Sequence, residues 1–146
     1  MTEKSPVVQD YMSRRVISFD LRDDVADIAA TLLEHGILGA PVLDQDKKVV
    51  GFVSEQDCIK EMLNTAWHCE LTATAAQVMR SEVLSVDPYM DITDLAQQMS
   101  TNKPKMYPVI ADGKLVGVIT RSDVMRALVE KSANCHHPST KATAVV

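Results

Sequence analysis

The chain has no apolar run near the roughly 20 residues that cross a bilayer, so no membrane association is expected. Its first ten residues carry Glu3, Lys4 and Asp10 and lack the apolar stretch of a secretory leader. It has only three cysteines, Cys58, Cys69 and Cys135. Odd in number and widely spaced, they do not suggest a disulfide framework, and reduced thiols in a cytoplasmic protein are the simpler expectation. Aromatic residues make up 4% of the chain, so its core must be aliphatic. Basic residues are in deficit: 15 Lys+Arg against 20 Asp+Glu leave a net charge of -5. A dedicated nucleic-acid binder needs the opposite balance, so none is expected, although a local basic patch could still hold a small anion. There is no G-x-S-x-G elbow, no Walker loop and no G-x-G-x-x-G, and His35 has no evident partner, so the chain does not read as an enzyme. What remains is an ordinary globular composition, 46% hydrophobic and 24% charged over 146 residues. That is enough for one domain or two small halves sharing a core, and too apolar for a disordered chain.

Sliding the sequence on itself by 67 positions brings Tyr11-Met12 onto Val78-Met79, Val16-Ile17-Ser18-Phe19-Asp20 onto Val83-Leu84-Ser85-Val86-Asp87, and Pro41-Val42-Leu43 onto Pro108-Val109-Ile110. After a one-residue slip in a turn, Val50-Gly51-Phe52-Val53-Ser54 meets Val116-Gly117-Val118-Ile119-Thr120, and Asp57 meets Asp123. Matched Met, Pro, Gly and Asp in one order mark an internal duplication. The units run over about 5–65 and 72–131, with a linker at 66–71 and a tail at 132–146 expected to be disordered.

Each unit reads as helix, strand, helix, strand, strand, helix. In the first, Ser5-Pro6 is a plausible cap and first turn for a short helix ending near Met12. A strand follows at 16–19. Asp23 and Asp24 open a helix with Val25, Ile28, Ala29, Leu32 and Leu33 at helical spacing and Gly36 as its stop. A hairpin is expected at 41–53, and Ser54 begins a last helix with Ile59, Met62 and Leu63 on its apolar face. In the second unit Asp112-Gly113 gives a tighter hairpin turn. The fold class is α/β (α+β): two units packing sheet against sheet, helices outside, with two equivalent clefts between them.

These residues resemble a tandem pair of cystathionine-β-synthase (CBS) domains, the arrangement called a Bateman module. The resemblance covers about 5–131. It is carried by Asp10-Tyr11-Met12 and Gln77-Val78-Met79, by Gly36-Ile37-Leu38-Gly39-Ala40-Pro41-Val42-Leu43-Asp44 and Met106-Tyr107-Pro108-Val109-Ile110, and above all by Gly51-Phe52-Val53-Ser54-Glu55-Gln56-Asp57 and Gly117-Val118-Ile119-Thr120-Arg121-Ser122-Asp123. It implies a stand-alone regulatory module, paired as a homodimer, binding AMP, ADP, ATP or S-adenosylmethionine between the repeats. No cofactor is required beyond that regulatory ligand.

On spacing alone, Ser54-x-x-Asp57 and Thr120-x-x-Asp123 are helix-capping arrangements, an acid three residues after a hydroxyl. The same geometry lets a carboxylate accept hydrogen bonds from a ribose diol while helix-start N–H groups meet phosphate. The resemblance makes Asp57 and Asp123 ribose anchors and the segments before Pro41 and Pro108 adenine walls. It pairs Ile37 and Leu38 with Thr120 and Asp123, and Pro104 and Lys105 with Ser54 and Asp57. Lys103-Pro104 departs from the Gly36-Ile37 pattern, and Pro104 has no N–H to donate. The cleft containing Asp123 is therefore expected to bind better. Arg121 is the favoured phosphate partner, with Arg14, Arg15, Arg80, Lys103 and Lys105 as further candidates, each otherwise a solvated surface charge.

Trp67-His68-Cys69 and Cys135-His136-His137 suggest a metal site only weakly, because neither has the short ligand spacing of a zinc finger, and none is expected. Cys58 reads as a small buried residue. A regulated partner would dock on exposed helices at 91–102 or 121–131. The alternative to the sensor is an adaptor pair without a physiological nucleotide.

Overall fold

The computed structural model describes residues 5–65, 73–101 and 103–133. The Trp67, His68, Cys69, Cys135, His136 and His137 metal reading, the linker and most of the tail lie outside the described residues.

The first repeat contains α1 (Val8–Tyr11), β1 (Phe19–Asp20), α2 (Val25–His35), β2 (Gly39–Leu43), β3 (Val49–Ser54) and α3 (Glu55–Thr65). The second contains α4 (Ala75–Val78), α5 (Ile92–Met99), β4 (Met106–Ala111), β5 (Lys114–Thr120) and α6 (Arg121–Ala133). Helix α2 buries Val25, Ile28 and Leu32 and stops at Gly36, whose φ of 61° is the left-handed conformation that a Cβ penalises. The N–H of Ile37 then closes the end on the Leu32 carbonyl at 3.0 Å.

Local details differ from the sequence expectation in two places. Helix α1 begins later than Ser5-Pro6. Its N-cap is Val7, whose N–H donates to the Asp10 carboxylate at 3.0 Å, so an acid in the first turn replaces the hydroxyl cap. The strand expected at 16–19 shrinks to Phe19–Asp20, paired in parallel with Val42 and Leu43. Its counterpart in the second repeat is a single bridge between Val86 and Val109. Apolar residues form a strand only where a neighbour takes their backbone groups, and few are offered here. The apolar face expected on α3, Ile59, Met62 and Leu63, is exposed at 58, 37 and 65%, while Cys58 is buried.

The two sheets have strand orders β1-β2-β3 and β4-β5, and they approach each other where β2 runs beside β4. Pro41 and Pro108 are fully buried in β2 and β4 without loss of ladder bonds. They sit opposite Phe52 and Val118, whose own N–H groups turn away to Arg80 and Ser13.

Those outward bonds expose the main organising feature, an exchange of the short helices. Val8 of α1 belongs to the core of the second repeat with Ile92, Leu95, Tyr107, Val109 and Ile119. Ala75 of α4 belongs to the core of the first with Val25, Ile28, Val42 and Val53. Beyond α1, Ser13 exchanges two backbone bonds with Val118 at 2.8 and 3.0 Å; beyond α4, Arg80 does the same with Phe52 at 2.9 and 3.0 Å. Met12 lies over Gly117 and Met79 over Gly51, each filling the space a Cβ would need. Neither core is complete without a segment from the other half of the chain.

Candidate functional site

Each repeat ends its hairpin directly at a helix, so the last strand residue is also the N-cap. This junction places Ser54 and Asp57 together at the start of α3, and Thr120 and Asp123 at the start of α6. Asp57 Oδ2 accepts from the Ser54 N–H at 2.9 Å and from its hydroxyl at 2.8 Å. Asp123 Oδ2 accepts from the Thr120 N–H at 2.9 Å, and Thr120 Oγ1 accepts in return from the Asp123 N–H at 3.3 Å. The capping reading of both motifs therefore holds. One oxygen of each carboxylate is oriented by its own cap, and only 14% of the Asp57 side chain and 15% of that of Asp123 is exposed.

The remaining oxygens face cations. Asp57 Oδ1 lies 3.6 Å from Nε of Arg80, and Asp123 Oδ1 lies 3.2 Å from Nη2 of Arg126. Arg80 was among the basic candidates, whereas Arg126 was not singled out. Its signal was its position one helical turn beyond Asp123, where i and i+3 side chains meet.

The wall segments sit beside the cap of their own repeat. Leu38 is 47% exposed, its carbonyl accepts from the Glu55 N–H at 2.9 Å, and Ile37 packs partly against the first core. In the second repeat the Lys105 carbonyl accepts from the Arg121 N–H at 3.0 Å, and the Arg121 side chain reaches the Lys103 carbonyl at 3.2 Å. Arg121 thus ties the departing Lys103-Pro104 segment to the start of α6 and keeps further guanidinium donors for a ligand. Arg14, Arg15, Lys103 and Lys105 are exposed. Among the described residues no hydrogen bond joins Ile37 or Leu38 to Thr120 or Asp123 across the repeats.

Two depressions stand out, and neither is lined by the eight residues Ile37, Leu38, Ser54, Asp57, Lys105, Thr120, Arg121 and Asp123. One, of about 390 Å³, lies between the hairpin turns and includes Lys47 and Lys114. The other, an open groove of about 1050 Å³, runs along α1 and α6 past Tyr11, Tyr89, Arg126 and Glu130. In that groove the Tyr11 hydroxyl donates to Glu130, which holds the phenol above its ordinary pKa. Burial, reinforced by Asp57 and Glu55, raises the Cys58 thiol, so its reactive thiolate is disfavoured. Among the described residues no cluster of His, Cys, Asp and Glu could hold a metal, and no helix is long and apolar enough to cross a membrane.

The CBS domain model matches residues 8–64 and 75–130, the two repeats found above. The chain belongs to the CBS domain family. The uncharacterized protein MJ1426 of Methanocaldococcus jannaschii is 29% identical over 84% of this chain and 91% of its own length. CBSX2, a CBS-pair protein of Arabidopsis thaliana, has been solved in complex with AMP. In that complex it is 28% identical, covers 86% of this chain and 98% of its own, and superposes with a TM-score of 0.75. The CBS domain pair of MJ0100, in complex with 5′-methylthioadenosine and S-adenosyl-L-methionine, has the same fold at 24% identity and a TM-score of 0.75, covering 88% of this chain and 99% of its own. The mixed helix and small-sheet architecture is thus that of solved CBS pairs.

Proposed function

We propose that this CBS pair is a regulatory module, not an enzyme, that binds an adenosine-containing ligand between its repeats and passes its occupancy to a partner protein. The observation that carries this reading is the repeated carboxylate. Asp57 and Asp123 each have one oxygen oriented by a helix cap and the other turned toward an arginine. Such a group accepts ribose hydroxyls in a fixed direction, and Arg121, at the same helix start as Asp123, offers donors to phosphate. The AMP complex of CBSX2 supports the ligand class. Ile37 and Leu38 would serve as adenine wall for the Asp123 cleft, and Lys105 would face the Asp57 cleft.

A ligand that binds only the folded chain raises its stability, by about 2.7 kcal/mol at a concentration 100 times Kd. For a chain of this size that is an increase of several degrees in Tm. Melting with AMP, ADP, ATP and S-adenosylmethionine in turn is expected to show such a shift with at least one. Absence of a shift at millimolar concentration of all four favours the adaptor reading, which the Lys103-Pro104 departure supports.

The homodimer is supported by a separate feature. Ile59, Met62 and Leu63 on α3 correspond under the duplication to Met125, Leu128 and Val129 on α6, and all six are exposed, the α6 residues at 62, 39 and 61%. Such repeated stripes give a face with the internal two-fold already in it, which suits an isologous contact between two copies. The exposed side of α5 would then serve the regulated partner. The double change Ile59→Glu and Met125→Glu is expected to turn a dimer into a folded monomer in sedimentation at micromolar concentration. A wild-type chain already monomeric there would overturn the assignment.

A further inference from the structure

One oxygen of each candidate carboxylate faces its own cap, and the other faces a cation linked to the exchanged helix. For Asp57 the link is direct, because Arg80 lies just beyond α4 and is bonded through its backbone to Phe52. For Asp123 it is indirect. The position equivalent to Arg80 is Ser13, and the cation comes instead from α6 itself. Nη2 of Arg126 reaches Asp123 Oδ1 at 3.2 Å and the Tyr11 carbonyl at 3.3 Å. Its guanidinium carbon lies 5.8 Å from the centre of the Tyr11 ring, and the Tyr11 hydroxyl donates to Glu130 one turn further along α6. A single amino group with two protons therefore bridges the end of α1 and the carboxylate at the start of α6.

We propose that Arg126 is a positioning residue that couples the state of Asp123 to the α1 segment. Each Asp123 oxygen already accepts one hydrogen bond, Oδ2 from the Thr120 N–H and Oδ1 from Arg126, so a ribose diol that engages both oxygens competes with the guanidinium at Oδ1. A ligand that takes Oδ1 draws the guanidinium away from it and loosens the clamp on Tyr11. Occupancy of the Asp123 cleft is then read at α1, in the groove that runs along α1 and α6. This use of the link rests on the adenosyl-ligand reading; the link itself does not.

Amide hydrogen exchange on the full chain separates the two. The probes are the N–H groups of Met12 and Ser13, which donate to Val8 and Val118. Without ligand, Arg126→Met and Asp123→Asn are each expected to speed their exchange several-fold, and the double variant no further than either alone. Asn keeps a carbonyl oxygen for the Thr120 cap, and urea midpoints verify that each variant remains folded. Wild-type rates in Arg126→Met, or additive effects in the double variant, overturn the link. With AMP bound, as judged by the melting shift, the same amides are expected to exchange faster in the wild type and to be insensitive to AMP in Arg126→Met. If AMP raises Tm and those rates stay unchanged, the coupling is overturned. If no adenosyl ligand raises Tm, the functional reading falls while the ligand-free cycle still decides the link.

Discussion

Replacing Gly117 with valine is expected to destabilise the chain by about 3 kcal/mol, the upper part of the usual range for overpacking a filled site. A Cβ at this position would lie 2.7 Å from Met12 Sδ and 2.8 Å from the Ser13 carbonyl oxygen. The sulfur sits on a flexible side chain and can swing away. The carbonyl cannot, because Ser13 is held to Val118 by two backbone bonds. The damage therefore falls on the seam that brings α1 onto the second repeat, and Met12→Ala in the same background should restore only part of the loss. Gly51→Ala provides the contrast. There the closest atoms belong to the Met79 side chain, and the nearest backbone atom is 3.1 Å away. It should be the milder change. Urea midpoints at constant m measure all three. An unshifted midpoint for Gly117→Val would show that α1 is not seated where the structure puts it.

This seam also marks the limit of what the sequence could reveal. The helix at 25–35 with its stop at Gly36, both hairpins and both capping acids were legible because each is decided by residues close in sequence, and the duplication because matched residues recur in one order at a nearly constant offset. The exchange of α1 and α4 was not. Met12 and Met79 are equivalent, and so are Gly51 and Gly117, so the repeat pattern is satisfied whether each methionine meets the glycine of its own repeat or of the other. Only tertiary packing breaks that degeneracy. The expected strand at 16–19 failed for a related reason. Val16, Ile17 and Ser18 have strand composition, but a strand exists only where a neighbour supplies backbone partners, and within 16–20 only Phe19 and Asp20 pair with β2. The stripe of Ile59, Met62 and Leu63 was legible as an apolar face but not its direction, since helical periodicity does not say whether such a face meets the core or another molecule. Arg126 escaped notice because a lysine or arginine on an exposed helix is usually a solvated charge; its role appears only once Tyr11 is brought across from the other repeat.

The duplicated carboxylates are expected to differ in their contribution to ligand affinity. Asp57→Ala and Asp123→Ala each remove an equivalent cap, so their costs in stability are similar, about 1 kcal/mol. Their surroundings are not similar. The helix start at Asp57 reads Glu55-Gln56-Asp57, while that at Asp123 reads Arg121-Ser122-Asp123. A phosphate beside Asp57 meets Arg80 but also the second carboxylate of Glu55; beside Asp123 it meets Arg121 in place of that acid, with Arg126 close by. The wall segments add little to the difference: Pro104 lacks an N–H, but that of Ile37, its counterpart, is already given to the Leu32 carbonyl at 3.0 Å. A hydrogen bond to a charged group contributes about 1.5–3 kcal/mol, or roughly 10- to 150-fold in affinity. Asp123→Ala is therefore expected to weaken AMP binding by at least about tenfold in titration calorimetry, and Asp57→Ala by only a few-fold. Arg121→Ala should reduce affinity for AMP while leaving uncharged adenosine nearly unaffected, which separates the phosphate contribution from that of the ribose. A larger loss for Asp57→Ala would reverse the assignment and place the stronger site beside Glu55, where ribose recognition would have to outweigh the repulsion of phosphate.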